Sequence, residues 1–193
     1  MVIQYKSKMF SSDKIAQAIN KQEKPIVLVG MMGCGKTHIG RMLAHDLDLP
    51  FIDSDKEIEK DQGKPIVDIF DLDGEESFRK LERQKIKDIM GQGPCVLSVG
   101  GGAFVNEHSR KTILEVSISI WLDSDIETLF ERVSRNDKRP LLKTENPKQM
   151  LAELLEARKP FYEQAYIHVR SDQKDTEIVE NIKNSLCAYL NLD

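Results

Sequence analysis

The sequence predicts an α/β fold in which a parallel β-sheet is flanked by helices on both faces. Short β-rich runs alternate with longer stretches of helical periodicity, and a glycine-rich loop directly follows the first apolar run. Right-handed crossovers between parallel strands leave the carboxyl ends of the strands as the edge where a ligand binds. We therefore expect functional residues in the segments that follow strands.

Five β-rich, mainly apolar runs predict the strands. They lie at residues 26–29, 50–52, 95–99, 117–122 and 166–169. Apolar residues that recur at helical spacing predict the intervening helices. These helices lie at residues 39–47, 75–90, 126–134, 148–165 and 176–190. A further short helix is expected before the first strand, capped by Ser11 or Ser12.

Length indicates how these elements are organised into domains. The chain has 193 residues, enough for one domain with a substantial core and short for two. We expect a single domain over residues 1–193, with its core at 25–190 and an N-terminal extension at 1–23. Residues 135–147 are polar, rich in turn-forming residues and basic at their start, which predicts a surface loop that covers a site.

Composition excludes several classes of function. Hydrophobic residues make up 40% of the chain and charged residues 31%, and the formal net charge is −4. These values are typical of a soluble globular protein with no global attraction to nucleic acid or to an anionic membrane. Cys34, Cys95 and Cys187 lie far apart, which argues against a disulfide framework and for a reducing compartment. Without a long apolar run, the expected location is the cytoplasm.

The strongest motif is the glycine-rich loop at residues 30–37. Its sequence GMMGCGKT fits G-x-x-x-x-G-K-[ST], the loop whose main-chain N–H groups surround nucleotide phosphates. Lys36 is then expected to reach the β- and γ-phosphates, and the Thr37 hydroxyl to ligate Mg²⁺. An ordinary glycine-rich turn is the alternative. A strand before the loop and an amphipathic helix after it favour the phosphate loop.

Two carboxylates follow the second strand, in the segment FIDSD at residues 51–55. If a helix begins between Asp53 and Asp55, their side chains diverge and serve different ligands. Asp53 is then a candidate for the magnesium site and Asp55 for the acceptor. The alternative is that Asp53 or Ser54 only caps a short helix at residues 55–60.

Gly100, Gly101 and Gly102 follow the third strand. Glycines at the carboxyl end of a strand let a ligand approach the main chain closely and accept hydrogen bonds from its N–H groups. A plain turn is the alternative, and it would be preferred if the triplet stood alone.

Four arginines are candidates for binding anions. Arg79 has Glu82 three residues later, which is either a surface ion pair or a support for a guanidinium aimed at a substrate carboxylate. Arg139 lies in the covering loop, where a cation offsets charge on a transferring phosphoryl group. Arg158 lies late in a predicted helix, and Arg132 is a candidate for stacking on the nucleotide base.

Taken together, these motifs resemble those of the shikimate kinase family. The shared segments are GMMGCGKT, FIDSD, DIFDLDGEESFR at 68–79, LSVGGGA at 97–103, RPLL at 139–142 and RKPFY at 158–162. The resemblance runs from about residue 25 to the C-terminus. It implies a P-loop kinase fold of the nucleoside-monophosphate-kinase group, with a five-stranded parallel sheet and a lid at about 135–147.

The same resemblance implies the reaction and the site. The γ-phosphoryl group of ATP, with Mg²⁺, would be transferred to the 3-hydroxyl of shikimate in the route to chorismate. The residues implied to bind shikimate are Asp55, Arg79, Gly100, Gly101, Gly102 and Arg158. Those implied to contact ATP are Gly33, Cys34, Gly35, Lys36, Thr37, His38, Arg132 and Arg139. Lys36, Asp55 and Arg139 would be catalytic, and Thr37 and Asp53 would serve the metal.

Two alternatives remain open from the residues. Another small-molecule P-loop kinase, such as a gluconate kinase, would also need arginines for its substrate carboxylate; the glycine triplet, the D-x-D segment and Arg79 favour shikimate. A catalytically silent nucleotide-binding protein would be indicated by loss of Lys36, Asp55 or a carboxylate-binding arginine, and all of these are present. We expect a monomer that binds a small molecule, without nucleic acid or membrane as partner.

Overall fold

The structure is a computed structural model, and it describes residues 12–135 and 146–192. Helices and strands alternate along the described chain. The elements are α1 (Ser12–Gln22), β1 (Ile26–Val29), α2 (Lys36–Asp46), β2 (Phe51–Asp53), α3 (Ser54–Gln62), α4 (Ile66–Met90), β3 (Val96–Ser98), α5 (Glu107–Val116), β4 (Ile118–Asp123), α6 (Ile126–Ser134), α7 (Pro147–Tyr162), β5 (Ile167–Arg170) and α8 (Asp175–Tyr189).

The five strands form one parallel sheet in the order β2-β3-β1-β4-β5, which confirms the predicted α/β fold. The registers align Leu28 of β1 with Ser98 of β3, and Ser98 with Asp53 of β2. Because these three strands are neighbours and parallel, the segments that follow them emerge side by side at one edge. The phosphate loop, the glycine triplet and Asp55 are therefore brought together by the strand order.

The predicted strands agree with the observed ones to within one residue at each end. The helices differ more. The prediction of 75–90 covers only the second part of α4, which begins at Ile66 and is interrupted at Gly74, where φ is 82° and ψ is 164°. Helix α5 was not predicted. Helix α3 forms from Ser54, so a helix does begin between Asp53 and Asp55.

The N-terminal helix is part of the main hydrophobic core. Ile15 and Ile19 are fully buried in it, together with residues of the sheet and of α8. Helix α1 contacts α8, and α8 in turn contacts α2 and β5. The segment expected to be an extension before the core thus contributes two core side chains. A smaller cluster of Ile58, Ile69 and Phe78 lies between α3 and α4.

Two further findings concern the cysteines and the apolar character of the helices. All three cysteines are free and buried, so none is paired in a disulfide. Within residues 12–135 and 146–192, no helix is both long enough and apolar enough to cross a membrane.

Candidate active site

The phosphate loop connects β1 to α2, and Lys36 is the first residue of that helix. The Lys36 ammonium group donates hydrogen bonds to the carbonyl oxygens of Gly30 (2.9 Å) and Met31 (3.0 Å). The side chain therefore folds back over the loop. At Gly33, φ is +84° and an added Cβ would lie 2.6 Å from Val133 Cγ2, so both the main-chain angle and the space require glycine.

Thr37 and Asp53 lie together as predicted for a magnesium site. The Thr37 hydroxyl donates to Asp53 Oδ2 over 2.8 Å. The other Asp53 oxygen accepts from the Lys56 N–H over 3.4 Å, so the same carboxylate also caps α3. The helix-cap interpretation of Asp53 is thus confirmed, and its role at a magnesium site stays a prediction with which the Thr37 contact agrees. A hydroxyl and a carboxylate beside a phosphate loop are hard oxygen donors of the kind that fit Mg²⁺, which keeps several waters as further ligands.

Asp55 is the second residue of α3 and lines the cavity on its acceptor side. Burial, followed by repulsion from Asp53, raises its pKa from 3.8 to about 6, although Lys36 and Arg79 act in the opposite direction. Its Oδ1 atom is buried and has no hydrogen-bond partner among the described residues. An unpaired carboxylate oxygen in such a position is available to a ligand hydroxyl.

The glycine triplet is surrounded by charged side chains, a different set at each glycine. A Cβ on Gly100 would lie 2.9 Å from both Asp55 Oδ1 and Glu82 Oε1. The corresponding positions on Gly101 and Gly102 lie 3.3 Å from an Arg158 nitrogen and 2.6 Å from an Arg79 nitrogen. The absence of side chains at the triplet lets two carboxylates and two guanidinium groups approach one short stretch of main chain.

Arg79 is held by two carboxylates of its own helix. It donates to Glu82 Oε2 over 2.7 Å and to Glu75 Oε1 over 3.2 Å. Burial alone would lower the Arg79 pKa, but the two glutamates more than offset this and raise it. Glu82 is only 1% exposed, and burial raises its pKa despite the attraction of Arg79. The guanidinium is therefore fixed by a buried acid rather than by a surface ion pair.

Sequence reasoning assigned no role to Tyr162, one helical turn after Arg158 in α7. Its hydroxyl donates to the Gly101 carbonyl oxygen over 2.5 Å, and burial raises its pKa to about 12. Met31 lies beside both residues, with its sulfur 4.0 Å from Arg158 Nη1 and 3.7 Å from the Tyr162 oxygen. The i, i+4 spacing of Arg158 and Tyr162 was the signal that could have identified Tyr162.

An open cavity of about 580 Å³ joins the phosphate loop to the acceptor side. Its lining comprises Met32, Gly33, Gly35, Lys36, Thr37, His38, Asp53, Asp55, Ile66, Ser98, Val99, Gly100 and Gly101. Part of each predicted set thus shares one cavity, whereas Arg79, Gly102 and Arg158 of the acceptor set and Cys34 and Arg132 of the nucleotide set are not in its lining. Ile66, Ser98 and Val99 were not predicted; the last two precede the glycine triplet, and Ile66 lies in the part of α4 that was missed.

The remaining predicted nucleotide residues have varied surroundings. His38 Nε2 lies 2.9 Å from Asp175 Oδ2 at the start of α8. An Arg132 nitrogen lies 3.9 Å from the Cβ position of Gly35, which places this arginine beside the phosphate loop. The Cys34 side chain is fully buried, so its thiol faces the core and not the cavity. Arg139 and most of the expected lid lie outside the residues that the structure describes.

A parallel α/β sheet with a phosphate loop that opens into a cavity with a charged acceptor side is the arrangement of a P-loop kinase. The model of the shikimate kinase family matches residues 32–187, which is most of the chain. The chain belongs to the shikimate kinase family.

Individual relatives agree with this membership. A shikimate kinase of Novosphingobium aromaticivorans is 47% identical over 180 residues, covering 91% of this chain and 93% of the relative. Among solved structures, shikimate kinase from Acinetobacter baumannii in complex with shikimate superimposes with a TM-score of 0.83 at 34% identity, covering 92% of this chain and 99% of that one. A gluconokinase from Sinorhizobium meliloti matches with a TM-score of 0.57 at 19% identity, a likeness of fold alone.

Proposed function

We propose that this protein transfers the γ-phosphoryl group of ATP to the 3-hydroxyl of shikimate and so makes shikimate 3-phosphate. The observation that carries this function is the grouping of Asp55, Arg79 and Arg158 around the glycine triplet, opposite Lys36. Shikimate is a small ring acid with one carboxylate and several hydroxyls. Two guanidinium groups suit the single carboxylate, and the unpaired carboxylate oxygen of Asp55 suits one of the hydroxyls.

The acceptor side positions and activates the hydroxyl. Arg79 and Arg158 would bind the substrate carboxylate, and Glu82 keeps Arg79 in place for that contact. Asp55 would accept a hydrogen bond from the 3-hydroxyl and take its proton as the oxygen attacks the γ-phosphorus. A carboxylate whose pKa is raised to about 6 is ionised at neutral pH and is a stronger base than an ordinary aspartate.

The phosphoryl side compensates charge. In the reaction the bond between the acceptor oxygen and the γ-phosphorus forms while the bond to the β–γ bridging oxygen breaks, and ADP leaves. Lys36 exchanges its two loop carbonyls for phosphate oxygens, so that its ammonium group faces the developing negative charge. Thr37 and Asp53 would hold Mg²⁺, directly or through water, and the ion would neutralise charge on the β- and γ-phosphates.

The decisive experiment is an ADP-release assay with ATP and magnesium, run in parallel against shikimate, gluconate and nucleoside monophosphates. We expect turnover with shikimate and no turnover with gluconate or the nucleoside monophosphates. A Lys36→Met variant is the negative control for ADP release. Its turnover should be about a hundredfold or more below that of the parent, because one preorganised cation is removed. Comparable turnover with gluconate would show that the acceptor side also accepts an open-chain acid, and would favour the gluconate kinase alternative. The absence of turnover with every acceptor would support the catalytically silent alternative.

We also propose that the enzyme is a cytoplasmic monomer without a nucleic-acid or membrane partner. The free, buried state of Cys34, Cys95 and Cys187 supports a reducing compartment. The net charge of −4 supports the lack of attraction to nucleic acid. Light scattering on the purified protein tests the monomer directly, and a mass of two chains would overturn it.

A further inference from the structure

A second cavity lies on the outer side of α4, between this helix and α5. We call it the α4–α5 groove; its volume is about 530 Å³, and its lining includes Lys80, Arg83, Lys87, His108, Ser109 and Thr112. None of these residues lines the cavity at the phosphate loop. The groove is therefore separate from the proposed kinase site, although Arg79 and Glu82 belong to the same helix.

The α4 side of the groove carries three cations. Lys80, Arg83 and Lys87 are spaced by three and four residues, which places them on one face of the helix. Lys80 pairs with the exposed Glu76 over 3.0 Å. In the part of the chain that the structure describes, neither Arg83 nor Lys87 has a carboxylate oxygen within 4.0 Å of its cationic group. Two cations thus line the groove without a direct ion pair, although Arg83 attracts Glu76 at longer range and, after the hydrogen bond from Lys80, helps to lower the pKa of that carboxyl.

The α5 side supplies hydrogen-bond donors and the positive end of a helix. Helix α5 begins at Glu107 after the cap Asn106, so His108 and Ser109 lie in its first turn. The Ser109 side chain is 3% exposed, and its hydroxyl has no hydrogen-bond partner among the described residues. Buried hydroxyls in native proteins are nearly always paired, so this one is available for a hydrogen bond to a ligand that reaches it.

We propose that the α4–α5 groove binds a small polyanion that carries at least two linked phosphate groups. Lys80 and Lys87 are seven residues apart, so their Cα atoms lie about 10 Å apart along the helix. Cations distributed over this length can contact two linked phosphate groups together, whereas a single phosphate engages fewer of them. Arg83, midway between them, offers the planar donor set that binds phosphate oxygens in pairs. On the opposite side lie the Ser109 hydroxyl and the positive end of α5, although the Ser109 N–H itself is already bound by the Asn106 side chain.

Calorimetric titration with inorganic pyrophosphate tests the site. The protein is first saturated with ADP in EDTA, so that the phosphate loop is already filled. We expect one equivalent of pyrophosphate to bind, and orthophosphate to bind at least tenfold more weakly. Absence of pyrophosphate binding, or equal affinity for orthophosphate, would overturn the proposal.

Charge variants then locate the binding. Arg83→Gln/Lys87→Gln should weaken pyrophosphate binding at least tenfold. The matched control Lys21→Gln/Lys60→Gln removes the same charge from exposed positions on α1 and α3 and should change affinity less than twofold. Equal losses of pyrophosphate affinity in the two double variants would show that only net charge matters, and would refute a specific site in the groove.

Ser109→Ala separates ligand binding from structure. If the hydroxyl serves a ligand, the variant should bind pyrophosphate several-fold more weakly while its melting temperature without pyrophosphate stays equal or rises, because an unpaired buried hydroxyl has been removed. A lowered melting temperature together with unchanged pyrophosphate affinity would show that the hydroxyl is structural and would contradict the proposal.

Discussion

Asp55 combines two properties that conflict in a folded protein. Its carboxylate must be ionised to accept a proton, yet burial and the nearby Asp53 make ionisation unfavourable and raise the pKa to about 6. Because this value exceeds the ordinary 3.8, the folded state binds more protons than the unfolded state between those pH values. Stability therefore falls as the pH rises through this window, and the loss persists at neutral pH.

The first prediction is that Asp55→Asn destroys activity while stabilising the fold. Loss of the base should lower kcat by about a hundredfold or more, with ATP affinity largely unchanged. The free energy of unfolding at neutral pH should rise by up to about 3 kcal/mol, the equivalent of the pKa shift. Urea unfolding measures this gain, which should shrink as the pH falls below the raised pKa. A variant less stable than the parent at neutral pH would contradict the inferred cost of ionised Asp55.

The pH dependence of the parent enzyme gives a second test of the same residue. Protonated Asp55 is inactive as a base, so kcat/KM for shikimate should rise with pH through an apparent pKa of about 6 and then level off. The measurement is made at saturating ATP and magnesium. An activity that already reached its plateau near the ordinary aspartate pKa would show that Asp55 is not perturbed or not the base.

The third prediction distinguishes the two glutamates that bind Arg79. Glu82→Gln removes the buried charge that fixes the guanidinium and should raise KM for shikimate about tenfold, with KM for ATP unchanged. Glu75 is 68% exposed at its side chain, so Glu75→Gln is a matched control with an expected change of less than about twofold. Equal effects of the two variants would show that burial does not decide which partner positions Arg79.

At the residue scale, the motifs that act through contiguous sequence were predictable. The phosphate loop and the two aspartates of FIDSD are recognisable from the spacing of their residues in the sequence. The hydrogen bond between Thr37 and Asp53 agrees with the predicted pairing of these two residues. Tyr162 was missed because its partner, the Gly101 carbonyl, is 61 residues away in the chain. The i, i+4 spacing places Tyr162 beside Arg158, but short-range periodicity contains no information on the contact with Gly101.

At the element scale, the errors have local physical causes. The first part of α4 was missed because Gly74, at a positive φ, divides the helical pattern. Helix α5 has only ten residues and few apolar ones, although Asn106 caps it by accepting from the Ser109 N–H. The strand order β2-β3-β1-β4-β5 has no local signal in the sequence, yet it places the three segments predicted to bind ligands next to each other.

The fourth prediction concerns the loop between β3 and α5. Gly102→Ala places a Cβ 2.6 Å from an Arg79 nitrogen, so the guanidinium must move, and KM for shikimate should rise about tenfold. Gly91→Ala is the control, since its Cβ would meet only main-chain oxygens at 3.5 Å and beyond. Steady-state kinetics of both variants tests the loop. A Gly102→Ala enzyme with unchanged KM would exclude the loop as a support for Arg79.

At the scale of the whole molecule, the kinase site depends on a core that extends beyond the region matched by the family model. That match begins at residue 32, whereas α1 precedes it and buries Ile15 and Ile19 against the rest of the core. Helix α1 contacts α8, which lies next to α2, the helix that begins with Lys36. The N-terminal helix is thus connected through packing to the helix that begins with Lys36, the lysine proposed to bind phosphate.

The last prediction is that α1 contributes to stability and not to chemistry. Ile19→Ala should lower the free energy of unfolding by about 2–5 kcal/mol, since a fully buried side chain leaves a cavity. Gln17→Ala, at an exposed position of the same helix, should change it by less than about 0.5 kcal/mol. The kcat of the folded Ile19→Ala enzyme should equal that of the parent.

Denaturant unfolding followed by Trp121 fluorescence measures the loss of stability, and assays well below the melting temperature measure kcat. A separate low-stability transition would show that α1 unfolds on its own, whereas a lowered kcat in fully folded protein would mean that α1 packing reaches Lys36 through α8 and α2.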